Sequence, residues 1–251
     1  MGGVDRVVFG YSLLCYPGQY LQVETTDLTC NSTTVHMLCG EHHLRGAECP
    51  SCGEKLMQIL QLDSTDPNVG LGDWGLPRLH LLWCWPCQAF SNHVPFSYKY
   101  SSENEIKVLT CGFSAYPKIT ERFGFEMDQL LEEFPYEGYP KSFPACRVRL
   151  ESMMRADQDR LANAQQNGDQ YYRLEQQLRD AFESRHQIGG IPFLAWSLSR
   201  VCPSCEGRLC LLASIKDANT DPRGFTGNSA AYLIFALCTR CKIIVGENFV
   251  C

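Results

Sequence analysis

Eight of the 15 cysteines in this 251-residue chain fall in four Cys-x-x-Cys pairs: Cys49/Cys52, Cys84/Cys87, Cys202/Cys205 and Cys238/Cys241. Two thiolates at i and i+3 can reach one ion only if the chain turns tightly between them. In Cys49-Pro50-Ser51-Cys52-Gly53, proline presets the start of such a turn and glycine tolerates the positive φ at its end. Two such pairs supply four soft ligands, the donor set of a closed tetrahedral structural site. The chemistry expected is therefore two structural Zn²⁺ ions, one on Cys49, Cys52, Cys84 and Cys87, the other on Cys202, Cys205, Cys238 and Cys241. Redox dithiols are the competing reading, but those normally stand singly beside a βαβ unit. Iron is the competing metal, because a rubredoxin-type site uses the same four thiolates.

The elements that must position these sulfurs recur as a duplication. Residues 49–62 read CPSCGEKLMQILQL and residues 202–215 read CPSCEGRLCLLASI. Each copy then meets a Thr-Asp-Pro turn, at Thr65-Asp66-Pro67 and Thr220-Asp221-Pro222, and an apolar run leads into its second pair. The pairs are separated by 31 residues in one copy and 32 in the other. Strands are predicted at Leu56–Leu62 with Leu79–Trp83, at Leu209–Ile215 with Tyr232–Leu237, and at Ile106–Cys111 and Lys242–Gly246. Glu206 stands where the first copy has Gly53, a small irregularity.

Between the copies, Leu150, Met153, Met154, Asp157, Leu161 and Ala164 follow a helical period, interrupted by one polar residue. Asn167-Gly168-Asp169 reads as a stop and a new N-cap. A second helix is expected to carry Tyr171, Leu174, Leu178, Ala181 and Phe182 on one face, and a shorter one to cover Glu126–Glu133. The fold class expected is α+β: duplicated, β-rich, zinc-ribbon-like halves over 1–145 and 187–251, joined by a helical connector over 146–186.

Composition bounds the function. Formal charge is −6, and eight thiolates around two dications (−8 from sulfur, +4 from metal) take it to −10. An acidic surface argues against tracking a phosphate backbone, so nucleic acid is not the expected partner. No run of 18 apolar residues exists, so no membrane span is expected. Asp5 and the lack of a small-residue cleavage site argue against a signal peptide. Gly2 is followed by Arg6 where myristoylation requires Ser or Thr. The odd cysteine count in a long chain points to a reducing, cytoplasmic setting.

The remaining candidates are weaker. Cys39-Gly40-Glu41-His42-His43 could join Cys30 in a third metal site or supply a nucleophile and base, against the blander reading of an exposed polar loop. His80 lies inside an apolar run and reads as a satisfied core histidine. Cys15, Cys111, Cys146, Cys210 and Cys251 read as small buried hydrophobes. Trp74, Trp83 and Trp85 are expected to lie beside a metal knuckle.

Two stretches carry a resemblance. His186-Gln187-Ile188-Gly189-Gly190-Ile191-Pro192-Phe193 runs ahead of Cys202, and Gln61-Leu62-Asp63-Ser64 precedes Gly70-Leu71-Gly72-Asp73-Trp74-Gly75. In these the chain resembles the YwqG-like family of uncharacterised proteins and the related zinc-containing programmed cell death protein 2 family. The first copy has no Gly-Gly-x-Pro stretch ahead of its knuckle, a departure from the pattern. The resemblance implies a duplicated, β-rich, non-enzymatic fold that binds protein, including escort of a ribosomal protein in eukaryotic relatives. A zinc-stabilised protein-interaction module with an unidentified protein partner is thus the expected function, and no enzyme. The alternatives are an enzyme using Cys39, His42 and His43, or a rubredoxin-like electron carrier.

Overall fold

The computed structural model describes residues 19–23, 35–71, 74–84, 87, 95–111, 145–166, 186–190, 201–216 and 231–250. Among the described residues, eleven strands run β1 (Gln19–Val23), β2 (His36–Leu38), β3 (Met57–Asp63), β4 (Arg78–Trp83), β5 (Phe96–Ser102), β6 (Glu105–Thr110), β7 (Cys146–Ser152), β8 (His186–Ile188), β9 (Cys210–Lys216), β10 (Ala231–Cys238) and β11 (Ile243–Val250). They form an antiparallel sheet of order β4-β3-β2-β7-β1-β8-β9-β10-β11-β5-β6. Among the described residues no helix is long and apolar enough to cross a membrane.

The fold is β-rich rather than α+β, which corrects the expected class. The 146–186 stretch is not a helical connector: it opens with β7, and β8 begins at His186 at its far end. The helix among the described residues of this stretch, α1 (Arg155–Gln166), starts where the predicted helix was already under way. Residues 146–152 read CRVRLES, with Arg147, Arg149 and Glu151 exposed and Val148 buried between them. That period of two marks a half-buried strand, and the longer apolar spacing through Ala164 had masked it. The helices expected over 171–182 and 126–133 lie outside the described residues.

The duplication goes deeper than the cysteines. β1 and β7 pair with each other (Leu21↔Leu150, Val23↔Val148), while β7 also pairs β2 (His36↔Val148) and β1 pairs β8 (Leu21↔His186). Exchanging Leu21 with Val148 therefore carries every one of these pairings onto another. A pseudo-two-fold axis passes between β1 and β7, and the first strand of each copy is lent to the other copy. The His36-Met-Leu-Cys-Gly40 segment is equivalent to His186-Gln-Ile-Gly-Gly190, so Cys39-Gly40 stands where the second copy has its glycine pair. Cys39 and Gly189 both have positive φ. Their amides donate to Ile59 O (2.8 Å) and Leu212 O (3.0 Å), the two residues at which β3 and β9 shift register against β4 and β10.

β3, β9, β10 and the first half of β11 are buried on both faces, which explains their near-continuous apolar runs. The sheet curls so that β4, its outermost strand, faces β5. The Tyr98 hydroxyl donates to His80 O (2.6 Å) and accepts from Leu82 N (3.1 Å), while the Tyr100 hydroxyl accepts from His80 N (2.6 Å). Two phenols thus satisfy backbone groups that an edge strand would otherwise leave open to pairing. Burial raises both phenols above their ordinary pKa, so they remain neutral donors. Trp83 meets Phe96 and Phe235 edge-on, at ring centroids of 5.9 and 6.3 Å.

Candidate metal centres

Each knuckle grows from the loop before an inner strand. In the first, Cys49 N donates to Glu54 O (2.8 Å) and Gly53 N to Cys49 O (2.8 Å); in the second, Cys202 N donates to Gly207 O (2.7 Å) and Glu206 N to Cys202 O (2.9 Å). This double bond set closes the turn that aims two thiols at one point. The turn requires a left-handed residue after its second cysteine, and Gly53 takes φ +77° while Glu206 takes φ +56°. Lys242 does the same after Cys241, at φ +55°. Glu206 is therefore a strained stand-in for glycine. Relief of about 1–2 kcal/mol of left-handed strain, set against about 0.4–1 kcal/mol of added freedom in the unfolded chain, leaves Glu206→Gly stabilising by roughly 0.5–1 kcal/mol. The urea midpoint should rise, and an unchanged or lower one would speak against this backbone conformation.

The second pair of each site follows the outer strand of the hairpin, β4 or β10. The result is two groups, Cys49/Cys52/Cys84/Cys87 and Cys202/Cys205/Cys238/Cys241, each with its four sulfurs within 4.8 Å of one another. All eight sequence-predicted ligands are brought together as expected. Cys49–Cys87 and Cys52–Cys84 are 3.6 Å apart and Cys205–Cys238 3.7 Å. Metal–sulfur bonds of about 2.3 Å in a tetrahedron place sulfurs about 3.8 Å apart, close to these values. A disulfide would need about 2.05 Å. In the second site Ser204 N and Cys241 N also donate to Cys202 Sγ and Cys238 Sγ, each at 3.4 Å, which disperses thiolate charge.

Without an ion the thiols compete for protons. Donation from the thiols of Cys111, Cys84 and Cys87 holds the Cys49 thiol far below its ordinary range. The Gly207 amide and the Cys241 thiol bring Cys205 down to about 7, whereas burial pushes Cys238 up to about 12. A dication resolves that competition by replacing protons on all four sulfurs.

The second centre is held in part by the first copy. Trp74 Nε1 donates to Thr239 O inside the second knuckle (3.1 Å), and Tyr100 N donates to Lys242 O (3.0 Å). Trp74 in turn meets Tyr100 edge-on at 5.8 Å. Of the three tryptophans expected beside a knuckle, Trp74 serves the knuckle of the other copy, Trp83 packs against Phe96 and Phe235, and Trp85 lies outside the described residues.

Cys39 and His42 do not form a third centre among the described residues. His42 Nε2 donates to Leu56 O (2.7 Å) and its Nδ1 accepts from Leu44 N (3.3 Å), so both ring nitrogens serve the backbone. Cys39 is buried, His43 is exposed and Cys30 lies outside the described residues. His80 is the satisfied core histidine expected, with Nδ1 at 2.6 Å from Gln58 Oε1; burial lowers its pKa to about 4. His36 was missed: its Nε2 donates to Asp66 Oδ2 at 2.9 Å and fastens the loop after β3. The approach of Cys111 to the first group was also missed: its Sγ lies 3.5 Å from Cys49 Sγ. No spacing rule links the two, and only the fold makes them neighbours.

Comparison with family models, with curated proteins and with solved structures finds no match for this chain. The fold and its sites define a class in physical terms alone: a duplicated antiparallel sheet with two four-cysteine centres able to hold metal ions.

Proposed function

We propose that this is a zinc-stabilised protein-interaction module without catalytic chemistry of its own, working in the cytoplasm. The observation that supports it most is that each group gathers four cysteine sulfurs within 4.8 Å at the end of a hairpin, a donor set that would fill every position of a tetrahedral ion and leave none for substrate. Zinc is preferred to iron for both centres, and colourless protein with two zinc ions per chain would distinguish it from an electron carrier. The resemblance to the programmed cell death protein 2 family also favours protein binding.

Much of the first long loop is packed inward, which disfavours it as the docking element. Asp66, Val69, Leu71, Trp74 and Leu76 are buried, and Ser64 Oγ donates to Leu76 O. The partner instead takes the side of the sheet that ends in β6, where Lys107 and Leu109 are exposed. The other end is already occupied by Tyr98 and Tyr100. The reading is tested with a photo-crosslinking residue at Lys107 in cells that make the protein, with and without the Leu109→Asp substitution. A discrete crosslinked polypeptide, lost in Leu109→Asp with metal content unchanged, is the expected result. Partner recovery indifferent to Leu109→Asp would reject the β6 surface. Both ring nitrogens of His42 are committed to backbone bonds, which weighs against His42 as the base of the alternative enzyme reading on Cys39, His42 and His43.

A further inference from the structure

Of the four sulfurs in the first centre, Cys49, Cys84 and Cys87 are buried and Cys52 is exposed. Cys111 is buried and stands 3.5 Å from Cys49, as close as the ligands stand to one another. It is placed there by backbone. Arg45 bridges Glu105 in parallel, Arg45 N donates to Asn104 O (3.0 Å) and Ile106 N to Arg45 O (3.0 Å). From that bridge the two segments run side by side, one to Cys49 and the other along β6 to Cys111.

We propose that the first centre is a five-thiol metal site, in which Cys111 is a reserve ligand that replaces Cys52. The exchange balances simply. The Cys52–metal bond breaks and a Cys111–metal bond forms; the proton leaving the Cys111 thiol ends on the Cys52 thiolate. The ion keeps four sulfurs and the centre keeps its charge. When Cys52 has been alkylated or oxidised the proton passes to water instead. The ion is a soft, tetrahedral dication of the size of zinc, and an electrophile reaching the one exposed ligand does not eject it. This inference rests on the two-metal reading of the preceding subsection.

The test counts ions by native mass spectrometry on the full chain loaded with zinc, as wild type, Cys52→Ala, Cys111→Ala and the double variant. Expected counts are two ions in the wild type and in both single variants, and fewer than two in the double variant. A wild type with fewer than two ions would remove the two-metal reading itself. Fewer than two ions in folded Cys52→Ala, or two in the double variant, would overturn the reserve role while leaving that reading intact. Should Cys52→Ala not fold, the wild type and Cys111→Ala are alkylated under native conditions until Cys52 alone has reacted. Retention of both ions in wild type and loss of metal from Cys111→Ala is then the expected result. Equal loss from both, or equal retention, would overturn the proposal.

Discussion

Replacing Cys238 with alanine should unfold the first half of the sheet as well as the second, in one transition. The second knuckle is clasped from outside its own copy, by Trp74 on Thr239 and by Tyr100 on Lys242. β11 continues the sheet directly into β5 (Ile244↔Tyr98, Gly246↔Phe96), and β1 and β7 are exchanged across the pseudo-axis. A break at one centre therefore removes partners from strands of both copies. The magnitude is large. Structural zinc contributes about 10–16 kcal/mol to small zinc peptides, against about 5–15 kcal/mol for the whole stability of a typical domain. Hydrogen exchange followed strand by strand, with circular dichroism, would show β3 and β4 losing protection together with β9 and β10. Removal of both ions by a strong chelator should have the same outcome for the wild type. A Cys238→Ala protein that keeps a protected β3–β4 hairpin would show that the copies are separately stable, and the cooperative picture would be wrong.

The second large effect is expected at Gly46, where one added methyl group should cost about 2–5 kcal/mol. Gly46 has φ +71°, a conformation that costs an L-residue about 1–2 kcal/mol. A Cβ built there falls 2.2 Å from Ile106 O. That atom is backbone in an edge-to-loop bridge and cannot swing aside as a side chain could, so overpacking adds about 1–3 kcal/mol. Gly46→Ala must push β6 away from the 45–49 segment. A lower thermal midpoint and increased alkylation of Cys111 are the paired observations expected. A midpoint within about 0.5 kcal/mol of wild type, the usual scatter of neutral surface changes, would contradict the close approach.

Much of this was written in the sequence, and the reasons differ by feature. The eight ligands were legible because metal chemistry constrains local spacing, and Cys-x-x-Cys is a local pattern. The inner hairpins were legible because a strand buried on both faces must be a continuous apolar run, as in β9 and β10. β7 was misread because its two-residue period is short and the following residues repeat helically. The equivalence of His36–Gly40 with His186–Gly190 was hidden by unequal spacers: eight residues separate Gly40 from Cys49, and eleven separate Gly190 from Cys202. Strand order, the tyrosine closure of β4 and the approach of Cys111 to Cys49 depend on contacts between distant segments. No local pattern encodes those.

The loan of β1 to the second copy has a consequence for how the protein is made. Leu21 pairs with His186 and Val23 with Val148, so the earliest described strand has no place in the sheet until residues synthesised much later leave the ribosome. Cys49 to Cys87 emerge first and can take up an ion while Cys202 to Cys241 are still untranslated. The four sulfurs of the first group are thus all available before β8 exists, whereas the sheet can be completed only after synthesis has passed it.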